Sequence, residues 1–505
     1  MKVFAICGLV LLAAASVFAA PVSKPNVLIV FADDVGWGDI RCYNDVDGAI
    51  MQTPSIDQLA KDGMRFTDAH ARSLCAPSRY SVMTGNYPFR TKSLGWVISA
   101  ASSVQPGQKT IAQMFQEMDY NTAFFGKWHM GGQLYGKDGQ LIPPTYKLDP
   151  GSVDWQRPMH RGPTNLGFDY SFFSHSGVQG DPYFYLENDI MVGDPEQIMF
   201  WAAGAHTNKN NRYVTEIEKK GYGFPDWDST KTGEHFTEKA LEFIDRHVTS
   251  KSDKPFFMHF CTQCIHTPMT PGEFMGKPVA GVTGSVHTDM LYEMDLQVGA
   301  LLERLKKHGL LENTIVIYTS DNGPWEDLSP DSYDSSAHWR GRKGEAWEAG
   351  HRVPFIIRWD GKIKPDTVCD KAIDIVDLFP SFAAMLGGQL GDGHALDGLD
   401  ISPYFFGDES STLREFVFAR GRNHRNVSVD FNDVEFSYRR YGFKIIAASN
   451  KRKPGKVLEM YRIEPDPTES KNLANHPEYA EMKGKLLKEL NALVRSKRST
   501  SVFSK

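Results

Sequence analysis

Residues 73–88 read Ser73-Leu74-Cys75-Ala76-Pro77-Ser78-Arg79-Tyr80-Ser81-Val82-Met83-Thr84-Gly85-Asn86-Tyr87-Pro88. A residue of nucleophile size, Cys75, stands close before a proline and four positions before an arginine. Pro77 and its small neighbours suit a sharp entry into a helix whose first full turn is Tyr80 to Met83. The start of a helix carries unpaired backbone N–H groups, so anions and negative transition states are stabilised there. Arg79 adds a fixed cation on the same turn. Taken alone, Cys75 has two other readings: a buried free thiol, or the thiolate nucleophile of another enzyme class.

Upstream, Asn26-Val27-Leu28-Ile29-Val30-Phe31 is a continuous apolar, β-branched run, which predicts a buried parallel strand. It runs into Asp33-Asp34, and adjacent carboxylates at the end of a buried strand are costly without a counter-charge. A hard divalent cation would balance them at the edge where open α/β sheets bind ligands; a solvated acidic turn is the plainer alternative. Three more predicted strands end in polar groups. Tyr120 to Phe125 leads to Gly126-Lys127-Trp128-His129, where Lys127 and His129 face one side of an extended chain. That pairs a cation with a titratable ring, suited to an anion site with a proton-transfer partner, although such a pair alone is more often surface decoration. Phe256 to Phe260 leads to His266-Thr267-Pro268-Met269, and Thr314 to Thr319 delivers Asp321-Asn322, oxygen ligands for a hard cation. Helices are predicted over Thr53–Ala60, Ile111–Met118, Glu234–His247 and His287–His308, and a strand over Met64–His70. Short antiparallel strands over Phe416–Ala419, Glu435–Tyr438 and Phe443–Ala447 and a helix over 477–493 close the chain.

Cys75-Ala76-Pro77-Ser78-Arg79 with Thr84-Gly85 resembles the C-x-P-S-R…T-G signature of type I sulfatases. The likeness continues in order through Asp33-Asp34, Thr53-Pro54-Ser55-Ile56-Asp57, Gly126-Lys127-Trp128-His129, His266-Thr267-Pro268-Met269 and Ser320-Asp321-Asn322-Gly323. It ends in Arg340-Gly341-Arg342-Lys343 with Glu348-Ala349-Gly350-His351-Arg352, where Ala349 replaces the usual glycine. The resemblance covers nearly the whole chain after its first residues. It implies the alkaline phosphatase superfamily fold: α/β, a large mixed, mainly parallel sheet sandwiched by helices, with a smaller C-terminal antiparallel-sheet domain. The expected division is 1–20 signal peptide, 21–400 catalytic and 401–505 C-terminal. It also implies that Cys75 is oxidised to formylglycine by a maturation enzyme. Calcium (Ca2+) would be held by Asp33, Asp34, Asp321, Asn322 and residue 75. Arg79, Lys127, His129, His266 and Lys343 would be the catalytic set, Lys127 and Lys343 binding sulfate. His338 and Arg340 are candidates for the substrate, with bracing of the loop as the alternative for Arg340.

The chain has 505 residues, 41% hydrophobic and 23% charged, an ordinary globular composition with ample core. A net charge of −6 argues against a nucleic-acid binder with a broad basic face, and leaves room for a local basic pocket. The apolar run from Val3 to Ala20 predicts a secretory signal cleaved near Ala19 or Ala20, a membrane anchor being the alternative. The expectation is a periplasmic or secreted protein without stable membrane insertion. Cys261-x-x-Cys264 reads as core thiols or a local disulfide, with a redox or zinc motif as the other pattern. The poorly periodic stretch 132–233, rich in Trp155, His160, His175, Tyr183, Tyr185, Trp201, His206 and Trp227, reads as functional loops whose aromatic faces are either sugar platforms or packing for the loops themselves. A sulfated carbohydrate is thus the expected substrate: an algal galactan such as carrageenan first, glycosaminoglycans second, small aryl sulfates the rival. A phosphatase or phosphodiesterase on the same scaffold and a non-catalytic glycan binder are the other classes. The cysteine motif speaks against the first, the filled catalytic positions against the second.

Overall fold

The computed structural model describes residues 24–44, 52–91, 100–145, 148–201, 221–325, 334–410, 412–422, 434–450, 453–497 and 499. The segment read as a signal, with Cys7, lies outside the described residues, as do His206 and the side chain of Trp201. The ten strands of the main sheet are, in chain order, β1 (Asn26–Ala32), β2 (Met64–Phe66), β3 (Asn121–Lys127), β4 (Tyr170–Ser174), β5 (Tyr185–Glu187), β6 (Ile190–Met191), β7 (Phe256–Cys261), β8 (Thr314–Ser320), β9 (Phe355–Arg358) and β10 (Thr367–Cys369). Their order across the sheet is β10-β2-β9-β8-β1-β7-β3-β4-β5-β6. The centre is parallel: β1 lies between β8 and β7, and β3 and β4 follow in the same sense. β9, β5 and β6 run antiparallel to their neighbours, which makes the sheet mixed.

The continuous apolar runs are explained by burial on both faces. Alternate residues of β1 serve different cores. Val27, Ile29 and Phe31 join Tyr80, Met83, Phe115 and Phe382 on one side. Leu28, Val30 and Ala32 join Ile56, Phe236, Ile244, Leu291 and Val298 on the other. The helices on that second side are α1 (Pro54–Lys61), α4 (Thr232–Thr249) and α5 (Val286–Lys307); α2 (Cys75–Thr84), α3 (Ile111–Glu117) and α6 (Leu378–Leu386) cover the first.

The C-terminal part is a four-stranded antiparallel sheet, β11 (Val417–Arg422), β12 (Val434–Arg440), β13 (Phe443–Asn450) and β14 (Lys453–Arg462). Its core of Phe418, Phe436, Ile445 and Met460 is closed by Leu486, Leu490 and Leu493 of α7 (Ala480–Arg495). Ile401, Tyr404 and Phe405, just past the expected boundary at 400, pack into the first core.

Several expectations are corrected. Met64–His70 is two strands: Ala69–His70 leaves the main sheet to pair with Ile373–Asp374. The stretch 132–233 is less irregular than its sequence suggests, because β4, β5 and β6 extend the main sheet. Of its aromatic residues, Trp155, Tyr183 and Trp227 are buried and pack the loops, so they are not open sugar platforms. Cys261 and Cys264 are both free and buried, which removes the disulfide alternative; Cys264 sits beside Glu293 and Gln297.

Candidate active site

Four parallel strands bring their C-terminal ends to one edge, and each end carries a polar group: Asp33 after β1, Lys127 ending β3, His266 beyond β7 and Asp321 after β8. The close approach of these ends needs glycine. A Cβ on Gly126, whose φ is +100°, would lie 1.8 Å from the Cys261 carbonyl oxygen. A Cβ on Gly323 would lie 1.6 Å from the Ala349 carbonyl oxygen.

The 75–79 motif becomes the first turn of α2. Cys75 starts the helix, so Pro77 falls where no N–H is required. Ser78 is scaffold: its hydroxyl donates to the Asp321 carbonyl and accepts from Arg72 N at 2.9 Å. Arg79 lies buried beneath the site. It donates to Asp321 at 2.9 Å and to the Lys127 carbonyl at 2.8 Å, with Asp33 at 3.5 Å. The turn is also tied to the C-terminal sheet: Arg72 donates to the Phe418 carbonyl, and Ser73 Oγ to that of Arg420 at 2.5 Å.

Around Cys75 the sequence-predicted residues converge. Its Sγ lies 3.2 Å from His129 Nδ1. Lys127 Nζ is 2.5 Å from Asp33, and Lys343 Nζ 2.5 Å from Asp34. Asn322 Nδ2 is 2.9 Å from Asp34 Oδ1. His266 donates from Nδ1 to the Thr267 carbonyl at 2.5 Å, which leaves Nε2 free, 3.7 Å from Asp34 Oδ2. Asp34 and His129 adopt φ of +65° and +51°. Left-handed backbone at two non-glycine residues of one site is strain stored where chemistry is expected.

Three carboxylates, Asp33, Asp34 and Asp321, face three cations, Arg79, Lys127 and Lys343. Burial works against ionised Asp33, yet Lys127, with Arg79 and Lys343 behind it, holds it well below the usual carboxylate range. Burial and then the charge of Asp33 push Asp321 the other way. Burial, Lys127 and Lys343 bring the His266 ring down to about 3, so it is neutral here.

The residues fit a hard cation. Among the described residues, Asp33 Oδ1, Asp34 Oδ2 and Asn322 Oδ1 are buried oxygens without a hydrogen-bond partner. Ligand atoms of Asp33, Cys75 and Asp321 lie within 4.8 Å of one another. Unsatisfied buried carboxylate and amide oxygens are what calcium or magnesium takes as ligands.

His338 and Arg340 are not part of this cluster. His338 is exposed and packs against Trp37 and Trp339. Arg340 donates to the Glu469 carbonyl at 2.6 Å and to Tyr461 at 3.2 Å, and stacks on Trp347. These are the contacts of a brace. One member of the site escaped the sequence reading. Gln179, on the turn after β4, lies 3.0 Å from His129 Nε2 and 3.3 Å from Lys127 Nζ.

The sulfatase family profile matches residues 25–388, and that for the C-terminal region of N-sulphoglucosamine sulphohydrolase matches residues 342–496. The chain belongs to the sulfatase family. Enzymes of this family hydrolyse sulfate esters, and the chain is one of them. It is 30% identical over 515 residues to an N-acetylgalactosamine-6-O-sulfatase of Bacteroides thetaiotaomicron, covering 92% of each protein. It is 30% identical to a steryl-sulfatase of Rattus norvegicus, over 79% of this chain and 73% of the relative. A 6S-sulf protein of Bacteroides thetaiotaomicron, solved in a study of the metabolism of multiple glycosaminoglycans, superposes with a TM-score of 0.76 at 27% identity. That match covers 94% of this chain and all of the other. A protein solved with neocarrahexaose has a TM-score of 0.67 at 21% identity, covering 95% of this sulfatase and 94% of its own chain; that likeness is one of fold. Among the described residues no helix is long and apolar enough to cross a membrane.

Proposed function

We propose that this sulfatase removes a 6-O-sulfate from an N-acetylhexosamine, using formylglycine at position 75 and one calcium ion. The full-length match to an N-acetylgalactosamine-6-O-sulfatase carries the choice of substrate. It sets amino-sugar sulfates ahead of the algal galactans expected from sequence, for which the neighbour is one of fold alone. Export to the periplasm or the exterior belongs to the same proposal, through the apolar segment at 3–20.

A hydrated aldehyde at position 75 supplies one hydroxyl to attack sulfur and a second whose loss of a proton releases sulfate, which a plain serine or thiol cannot do. Asp33, Asp34, Asp321 and Asn322 would hold calcium, which when bound would supply positive charge to stabilise the sulfuryl group. Lys127 and Lys343, now on Asp33 and Asp34, turn to the sulfuryl oxygens when the ester binds. Arg79 keeps Asp321 and the start of α2 in register. The ester oxygen leaves towards Lys343 and His266. In the resting site His266 is neutral with its proton on Nδ1, so Lys343 is the group with a proton to give, and His266 Nε2 accepts from the alcohol hydroxyl once that proton has been transferred. His129 Nδ1 faces residue 75 and takes the proton of the release step.

Sulfate release from a panel tests this: N-acetylgalactosamine 6-sulfate, N-acetylglucosamine 6-sulfate, carrageenan oligosaccharides and an aryl sulfate. The amino sugars are expected to have the highest kcat/KM. A higher value for carrageenan or for the aryl sulfate refutes the substrate while leaving the chemistry in place.

A further inference from the structure

We infer that Gln179 is a positioning residue: it decides which nitrogen of His129 carries the proton, and binding of sulfate at Lys127 reverses that choice. The inference rests on the role given above to His129. Gln179 is placed by backbone pairing, since Trp128 N donates to the Ser174 carbonyl at 3.1 Å and His129 N to that of His175 at 2.9 Å. The turn from Gly177 to Gln179 then folds over Lys127. Gly177 has φ +75°, and a Cβ there would stand 3.0 Å from Lys127 Cδ. The amide so delivered spans the site's cation and its base, 3.3 Å from Lys127 Nζ and 3.0 Å from His129 Nε2.

Donor and acceptor chemistry fixes its orientation. An ammonium offers only protons, so the amide oxygen faces Lys127 and the amide N–H2 faces His129. Nε2 of the ring must then accept, and a neutral ring carries its proton on Nδ1, the atom 3.2 Å from Cys75 Sγ. In this resting arrangement His129 donates towards residue 75 and is not yet a base. An anionic sulfuryl group that draws Lys127 to itself frees the amide oxygen. The amide can then turn over and accept from Nε2–H, which leaves the Nδ1 lone pair facing residue 75. No atoms are gained or lost: the partly exposed ring gives its Nδ1 proton to solvent water and takes one from water at Nε2, and the amide rotates. Gln179 thereby makes His129 a base only when sulfate is in place.

Two readouts test it. In the unmodified protein with a Cys75 thiol, histidine-ring nitrogen NMR is expected to place the His129 proton on Nδ1, and on Nε2 after inorganic sulfate is added. Gln179→Glu offers acceptors to both neighbours, so it is expected to hold the proton on Nε2 without sulfate. In the mature enzyme, 4-nitrophenyl sulfate isolates the release step, because its leaving group needs no acid. Gln179→Leu is expected to lose roughly a hundredfold in kcat, with KM falling in parallel and a burst of nitrophenol before the slow phase. Gln179→Glu is expected to recover most of kcat and to raise KM. The same tautomer in wild type, Gln179→Leu and Gln179→Glu, or a kcat for Gln179→Leu within about twofold of wild type, overturns the inference. A burst in His129→Ala with none in Gln179→Leu removes Gln179 alone. Undiminished turnover in His129→Ala overturns the reading of the site beneath it.

Discussion

Replacing Lys444 with methionine is expected to destabilise the protein by about 3–5 kcal/mol, the range for breaking a buried ion pair from one side. Lys444 lies on β13 with its side chain fully buried, 3.1 Å from Glu348 and 2.8 Å from Glu469. Each contact is worth roughly 5–6 kcal/mol at an effective dielectric of about 20, most of it offset by desolvating the three ions. Methionine keeps the volume and removes the charge. Glu348 retains Arg352 at 2.8 Å and Arg439 at 3.3 Å. Of the described hydrogen bonds to the Glu469 carboxylate, the one from the Glu348 backbone N–H at 2.7 Å remains. The stranded group is therefore Glu469. The double variant Lys444→Met, Glu469→Gln should recover at least half of the loss, because an amide is far cheaper to bury than a carboxylate. Urea unfolding at neutral pH, with both variants and the wild type at equal m, reads these values. A loss below about 1 kcal/mol for Lys444→Met, or a double variant weaker than the single one, refutes the account of Lys444 as the counter-ion of two buried carboxylates.

Mass spectrometry of the Cys75 peptide should find formylglycine in active protein; a thiol alone at full activity refutes the mechanism, and Cys75→Ser should abolish turnover. Exhaustive chelation should abolish activity and lower Tm, by the equivalent of about 2.7 kcal/mol where calcium stood at a hundred times its Kd. Asp321→Asn should bind calcium more weakly; unchanged activity in both experiments removes the metal assignment. Lys127→Ala and Lys343→Ala should each lose about two to three orders of magnitude in kcat, and an effect confined to KM contradicts their part in transition-state stabilisation. Gly126→Ala should cost more than about 4 kcal/mol or fail to yield soluble protein, since its Cβ meets the Cys261 carbonyl oxygen; a near-native Tm shows that β3 and β7 can separate.

The centre of the sheet was legible because each run such as Val27–Phe31 must be apolar on both faces, and few other elements demand that. The candidate site was legible only through the order of its motifs. Alone, Asp33-Asp34 reads as a solvated acidic turn and Lys127 with His129 as surface decoration; the resemblance to the sulfatase motifs is what set both aside. β4 to β6 did not, because strands as short as Tyr185–Glu187 and Ile190–Met191 carry too few residues to show a period. Gln179 was invisible for a chemical reason: an uncharged amide in a loop resembles any solvated turn until its two partners are seen. The cluster of Asp68, Glu348, Arg352, Arg439, Lys444 and Glu469 was equally hidden. Its members come from both parts of the chain, and the Asp68–Arg439 contact spans 371 positions of sequence. Arg340 had two readings, and its contacts with Glu469 and Tyr461 fit the brace.

The ties from Arg72 to Phe418 and from Ser73 to Arg420 also impose a schedule on biosynthesis. Cys75 ends in a closed helix start, 7% exposed, where no second enzyme can grip it. The bond that pins its turn joins residues 346 positions apart and cannot form until Phe418 has been made. At roughly 5–20 residues per second, the ribosome leaves about 20–70 s between the appearance of Cys75 and that closure. Under the proposed conversion to formylglycine, the modifying enzyme would work against this clock. A cell that translates the chain faster than the modifier can visit would yield molecules that are folded, soluble and permanently idle, and slowing synthesis would raise the active fraction without changing a single residue.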